Sequence, residues 1–194
     1  MYRTSMLEDD KINLLARVAR TPSGPPSARS NQSILLLAAL SYGARPDDEA
    51  TVPTGFDPSA ARLFEAILEG AYLVAAADGV VDEAERDAFE RVVAAACGGI
   101  IDDAQIRDLV ADFADQLAED GVDGRVAAIG KAVSKPAHAM ELLRIAALLA
   151  QTSEDVSDVE RSVLTKLAVG VGLDPAAVDT ALADVHSALA TEKS

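Results

Sequence analysis

The sequence predicts an all-α protein: a compact bundle of about seven helices with a pseudo-two-fold internal repeat, plus an N-terminal helical extension. Three observations predict it. Apolar residues recur at a spacing of about 3.6 residues over most of the chain. The apolar fraction of 49% is rich in alanine, the best helix former, whereas aromatic residues make up only 4%. The β-branched and aromatic runs that are typical of strands are missing.

Helix-start signals divide the chain from residue 57 onward. At each start a capping side chain precedes an apolar stripe. After two of these caps, Pro58 and Pro175 stand at the first helical position, where the missing N–H of proline has no cost. The predicted starts are Asp57, Asp82, Asp102 or Asp103, Asp123, Ser134, Ser157 and Asp174.

The N-terminal extension, residues 1–56, carries two short helix candidates. One has an apolar stripe within Met6–Ala19. The other is the apolar segment Ser33–Tyr42, for which Ser30 or Asn31 is the expected cap. An apolar segment of this kind needs burial, either on its own domain or on a partner.

Two connections rich in Pro and Gly, at residues 21–30 and 43–56, predict linkers, because these residues block both helix and sheet. The helical domain is therefore expected to cover residues 57–194. Within it, repeat 1 spans about 57–120 and repeat 2 about 134–192.

The repeat is visible by direct alignment. Residues 68–97 overlay residues 143–172 at a shift of 75 positions, and after three extra residues the shift is 72. The apolar positions and the acidic helix starts coincide along both copies. Two copies are too few for a solenoid, so the pattern predicts a compact bundle.

The net charge of −15 and a pI near 4.4 limit the possible partners. A nucleic acid backbone or an anionic membrane surface would be repelled, and no compact Lys/Arg patch offsets this. Cations and basic protein partners are favoured. The alternative interpretation is that the charge serves solubility alone.

Several features indicate a cytoplasmic protein that does not insert into a membrane. Cys97 is the single cysteine, so no intramolecular disulfide can form. The N-terminus lacks the apolar core of a signal peptide. The longest apolar run, Ile34–Leu40, is too short to cross a bilayer.

One loop carries a family resemblance. The stretch AADGVVDEAERDAF at residues 76–89 resembles the tellurite-resistance TerB family, whose signature is Ala-Asp-Gly, a short loop and a Glu opening the next helix. Residues 149–173 resemble the family's second signature, and the resemblance covers about residues 60–190. Some J-domain co-chaperones contain a similar helical unit in their N-terminal part. The resemblance implies a role in tellurite resistance or related chemical or envelope stress, in concert with other proteins.

The same loop suggests a divalent cation site. Asp78 follows a helix C-terminus, where its negative charge opposes the helix dipole and a cation would compensate it. Clustered carboxylates suit a hard cation such as Ca²⁺, and TerB-like proteins are similar in presenting an acidic surface for which metal binding has been proposed. The spacing is not that of an EF-hand. The expected ligands are Asp78, Asp82 and Glu85 from repeat 1, with Asp155 and Glu160 from repeat 2.

A purely structural interpretation competes with the cation site. Asp82 to Glu85 and Ser157 to Glu160 both match the capping box, in which the first side chain and the Glu satisfy each other's backbone N–H groups. This chain also has Ser153-Glu154 where the family has Asp-Gly in its second signature. A symmetric two-loop site is therefore not expected.

No catalytic arrangement is visible, and we expect a non-enzymatic protein. His138 and His186 have no Cys, Ser or second His at a useful spacing, so neither a nucleophile–base pair nor a zinc site is indicated. The sequence leaves two functions open. One is a TerB-like module that binds a divalent cation or a protein partner, with homo-oligomer formation also open. The other is a scaffold protein that docks to a partner complex through its N-terminal apolar segment.

Overall fold

The computed structural model describes residues 2–22, 33–45, 56–79, 81–150 and 156–192, with side chains from residue 9 onward. Across these ranges the chain forms helices and no strand, which confirms the all-α prediction. The helices are α1 (Tyr2–Arg20), α2 (Ile34–Gly43), α3 (Pro58–Ala75), α4 (Glu83–Cys97), α5 (Asp103–Ala132), α6 (Pro136–Leu149), α7 (Asp158–Gly170) and α8 (Ala177–Glu192).

Helices α3 and α6 form the centre of the bundle and pack against each other. Every residue from Glu141 to Ala150 is buried, as is nearly every residue from Leu63 to Val74. A helix that is buried all round must lie inside a bundle, which explains why α6 reads as an almost continuous apolar run. Gly70 allows the close approach, because a Cβ at this position would lie 3.1 Å from Cδ2 of Leu142.

The repeat detected in the sequence is reproduced in the order of the helices. Helix α3, helix α4 and the first part of α5 correspond to α6, α7 and α8. Asp82 caps α4, and its repeat counterpart Ser157 caps α7. The two copies therefore share the capped start of their second helix.

Four predicted helix starts agree with the structure, and the remaining ones differ, among them Asp174, because α8 begins only at Ala177. Asp57, Asp82, Asp102 and Ser157 all cap the predicted helices. Helix α2 begins later than expected: Ser33 is its cap, and neither Ser30 nor Asn31, which lie outside the described residues, has this role. The prediction of Ser134 was also wrong, because Lys135 precedes Pro136 at the start of α6 and makes no side-chain cap.

Helix α5 contains a break where a separate short helix from Asp123 was predicted. Gly121 has φ 67° and ψ 170°, a non-helical conformation that favours glycine. The break is held by Arg125, which pairs with Glu69 on α3 and with Asp120 just before the turn. The hydrogen bond to Glu69 raises the pKa of Arg125 and outweighs the opposite effect of burial.

Helices α1 and α2 pack on the other helices. Helix α1 contacts α4 and α8, and it buries Leu15 and Val18. Helix α2 lies on α3, where the ring of Tyr42 is tilted against that of Phe64 with the centroids 5.0 Å apart. No helix in the described ranges is long and apolar enough to cross a membrane.

A buried arginine connects α1 to the central helix α6. The guanidinium of Arg144 donates two hydrogen bonds to the carboxylate of Glu141, at 2.9 and 3.0 Å. It donates two more to the carbonyl oxygens of Val18 and Ala19, at 3.1 and 3.2 Å. These carbonyls belong to the last turn of α1, where the carbonyl of Val18 also accepts from the N–H of Thr21 at 3.1 Å. Arg144 thus acts as the C-terminal cap of a helix more than a hundred residues away.

Candidate acidic loop site

Asp78 lies exposed in the loop between α3 and α4. Helix α3 ends at Ala75, and a turn follows in which Gly79 N–H donates to the carbonyl of Ala76 at 3.2 Å. Gly79 has φ 149°, a value that L side chains rarely adopt. Asp78 is exposed in this turn, next to the C-terminal end of the α3 dipole. A carboxylate there is electrostatically unfavourable unless a cation or a donor compensates it.

Asp82 and Glu85 form a capping box at the start of α4. The backbone N–H of Asp82 donates to Oε2 of Glu85 at 2.9 Å, and the N–H of Glu85 donates to Oδ1 of Asp82 at 2.9 Å. The structural interpretation of these two residues is therefore correct. Both side chains are also exposed, so one oxygen of each carboxylate serves the helix start while the residue still faces solvent.

The second repeat shows the same local geometry. The N–H of Ser157 donates to Oε2 of Glu160 at 2.7 Å, and the N–H of Glu160 donates to Oγ of Ser157 at 3.2 Å. The hydroxyl replaces the carboxylate of Asp82, so this capping box carries one acidic group fewer. Asp155, like Ser153 and Glu154, lies outside the described residues.

Among the residues that the structure describes, no group of three or more His, Cys, Asp or Glu side chains is placed to hold a metal ion. The predicted set of five includes Asp155, which is outside those residues. The site formed by Asp78, Asp82, Glu85, Asp155 and Glu160 thus stays a prediction.

A charged groove between α4 and α5 was not foreseen from the sequence. It is lined by Asp87, Glu90 and Arg91 of α4, and by Asp103 and Arg107 of α5. Burial raises the pKa of Glu90, and the nearby guanidiniums of Arg86 and Arg107 partly offset this. The i, i+4 spacing of charges along α4 was the available signal, but an exposed charged helix face shows the same pattern.

The histidines and the cysteine do not extend the site. Burial, followed by the charge of Lys135, lowers the pKa of His138, which is half-buried. His186 is exposed on α8. Burial raises the pKa of the Cys97 thiol to about 12, so the thiolate needed for nucleophilic attack or metal ligation is disfavoured. His138 and Cys97 thus lie in the packed part of the structure, and His186 lies on its surface.

Comparison with known proteins gives one family. The model of the family described as Tellurite resistance protein TerB matches residues 65–183, from within α3 to within α8. This is more than half of the chain, and it includes the loop with Asp78 and both capping boxes. Searches among curated proteins and among solved structures found no match.

Proposed function

The chain belongs to the tellurite resistance protein TerB family, and from this premise we propose that it is a cytoplasmic, non-enzymatic module of a tellurite-resistance-type stress system. In this role an acidic face would bind a divalent cation, a basic protein partner, or both. We define the acidic face as Asp78, Asp82 and Glu85. Asp155 and Glu160 are proposed to contribute from the second repeat.

The observation that carries this proposal is the exposure of Asp78 beside the C-terminal end of α3. The acidic residues at the two capping boxes already have a structural role, since they satisfy backbone N–H groups and interact favourably with a helix N-terminus. Asp78 has neither benefit at its position. A bound cation, or the Lys or Arg of a partner, would provide the compensation that the fold itself does not offer.

The chemistry of the acidic face favours a hard cation over a soft one. Its side-chain ligands are carboxylates, and the loop adds backbone carbonyls, whereas the buried Cys97 thiol is far from ionisation. Oxygen ligands of this kind suit Ca²⁺ or a similar ion. The overall charge of −15 raises the local concentration of any cation near this surface.

Calcium titration of the full chain, followed by calorimetry and by NMR, tests the cation. We expect binding at up to about millimolar metal, as in weak calcium modules. Because Asp78→Ala removes one ligand and leaves both capping boxes intact, it should weaken binding about tenfold. Asp184→Ala removes an exposed carboxylate of α8 and serves as the matched control.

Two outcomes would contradict the proposed calcium site. If no heat and no shift changes appear at millimolar metal, the acidic face is not a calcium site. If Asp184→Ala weakens binding as much as Asp78→Ala does, the metal is attracted by the general negative charge and not by this loop. Glu85→Ala is the less suitable variant, because it also removes half of the α4 capping box.

A further inference from the structure

The two repeats differ in charge where their second and third helices meet. In repeat 2, Arg161 of α7 forms a salt bridge with Asp179 of α8. The repeat alignment places Arg86 of α4 at the position of Arg161, and Arg107 of α5 at the position of Asp179. Repeat 1 therefore has two guanidiniums where repeat 2 has a guanidinium and a carboxylate.

The two arginines of repeat 1 lack the partner that repeat 2 provides. Arg86 and Arg107 are both exposed, and they line the same groove between α4 and α5. Within the described ranges neither forms a salt bridge with a carboxylate. Two like charges in one groove repel each other unless an anion lies between them. A carboxylate is the group that repeat 2 supplies, and guanidiniums bind it through paired N–H donors.

The same groove contains carboxylates, so a simple anion does not match it. Glu83, Asp87, Glu90 and Asp108 line the groove beside the arginines. Glu90 is half-buried, and burial raises its pKa although both arginines act in the opposite direction. The net charge of −15 also repels an anion. A ligand that carries an ammonium group beside its carboxylate is neutral overall and complements both signs.

The end of the groove next to α1 is partly apolar. Ile12, Ala94 and Ile106 line a cavity of about 370 Å³ there, and this cavity shares Glu90 and Arg107 with the wider part of the groove. Small-molecule sites have volumes of about 300–1,000 Å³. The charged part of the groove therefore continues into a space where an aliphatic side chain gains from burial.

We propose that the groove between α4 and α5 binds a free α-amino acid with an aliphatic side chain. Arg86 and Arg107 donate hydrogen bonds to its carboxylate, and Glu90 accepts from its ammonium group. The aliphatic side chain lies against Ile12 and Ile106. This inference does not depend on the acidic face of the proposed function, because the ligand is neutral and contacts none of its residues.

Calorimetry and NMR titration of the full chain with L-leucine test the groove. We expect saturable binding with a Kd of about 1 mM or lower, and chemical shift changes on α4 and α5. Three related compounds each lack one group: 4-methylpentanoate has no ammonium, 3-methylbutylamine has no carboxylate, and glycine has no aliphatic side chain. Each should bind at least about tenfold more weakly. If any of them binds as tightly as L-leucine, the assignment to an amino acid is wrong.

Arg107→Asp tests the arginine pair, because it gives this position the carboxylate found in repeat 2 and so provides Arg86 with a partner. It should weaken L-leucine binding at least about tenfold and leave the melting temperature unchanged or higher. Arg107→Gln, which adds no carboxylate, should weaken binding too and replaces Arg107→Asp if that variant does not fold. Arg62→Asp, at an exposed arginine of α3, makes the same charge change and is the matched control. Absence of binding at tens of millimolar L-leucine, or equal weakening by Arg62→Asp, overturns the proposal.

Discussion

Arg144 and Glu141 place opposite charges inside an otherwise apolar helix. Their side chains are 7% and 0% exposed. Moving two ions out of water is expensive, and only good geometry with further hydrogen bonds can offset it. The pair has both: the carboxylate receives two N–H groups, and the remaining donors of Arg144 reach the carbonyls of Val18 and Ala19. Arg144 therefore holds α1 against α6 and also pairs with the charge of Glu141.

We expect Arg144→Met to lower the free energy of unfolding by about 3–5 kcal/mol, because it leaves the buried Glu141 without its counter-charge. Adding Glu141→Leu should recover part of this loss, since no lone charge then remains. Urea denaturation followed by circular dichroism measures both effects.

The exposed pair of Arg161 and Asp179 provides the comparison for Arg144→Met. Arg161→Ala should cost less than about 1 kcal/mol, because both members of this pair are solvated. If Arg144→Met and Arg161→Ala lowered the free energy of unfolding equally, burial would not account for the effect of Arg144→Met.

Residues that interact locally could be predicted from the sequence, and residues that interact at long range could not. The capping boxes at Asp82 and Ser157 were predictable, since both partners lie within four positions. The role of Arg144 was missed, because its partners on α1 are 125 and 126 residues away. The sequence did contain a signal, namely a Glu and an Arg inside the apolar run of α6. Because a central helix cannot expose these side chains to water, they must pair inside the bundle.

At the scale of helices, α5 and α7 cross at two glycines. A Cβ at Gly130 would lie 2.3 Å from the carbonyl oxygen of Gly170. A Cβ at Gly170 would lie 2.4 Å from Cγ1 of Val126. The two backbones therefore approach more closely than any side chain permits, and glycine is required for packing at both positions although its helix propensity is poor.

Gly130→Ala should lower the free energy of unfolding by about 1–3 kcal/mol, because the backbones must move apart. Helix propensity alone predicts the opposite sign, a gain of up to about 1 kcal/mol. Gly124→Ala is the matched control in the same helix, since its Cβ would meet only the side chain of Asp120 and no neighbouring helix. A stabilising effect of Gly130→Ala in thermal or urea denaturation would rule out the close crossing.

The helices themselves were predictable because apolar periodicity and caps act within a few residues. The break at Gly121 was anticipated by the start expected at Asp123. The shift of the α2 start to Ser33 was not, because serines and an asparagine are all acceptable caps and tertiary packing selects among them. The start of α6 at Pro136 shows that proline sets a helix entry without a side-chain cap.

At the scale of the molecule, the family match and the packed core have different bounds. The match starts at residue 65, yet α1 and α2 contribute to the same core. Around one small apolar cavity, Ala19 of α1 and Leu35 of α2 meet Leu68, Val92 and Ile145 of the matched region. The division between residues 1–56 and 57–194 was predicted from composition. Composition indicates where the linkers lie, but it carries no information about where the helices between them pack.

Arg20 adds a second connection from α1 to the matched region. Its guanidinium donates to the carbonyl oxygens of Ala95 and Ala96, in the last turn of α4. Arg20 thus caps α4 while Arg144 of α6 caps α1. Helix α1 is held between the first repeat and the second, so its removal would leave carbonyl groups on α4 and the Arg144 guanidinium without these partners.

We therefore expect residues 57–194 alone to lose the cooperative unfolding transition of the full chain, because truncation exposes apolar surface on α3, α4 and α6 and breaks both arginine caps. Thermal unfolding by circular dichroism, with a dye that binds exposed apolar surface, measures this. Replacing residues 23–32 by a Gly/Ser linker of equal length is the control, and it should leave the melting temperature nearly unchanged, since it keeps both helices. If residues 57–194 melt cooperatively at the temperature of the full chain, α1 and α2 are dispensable and the boundary predicted from composition is the true one.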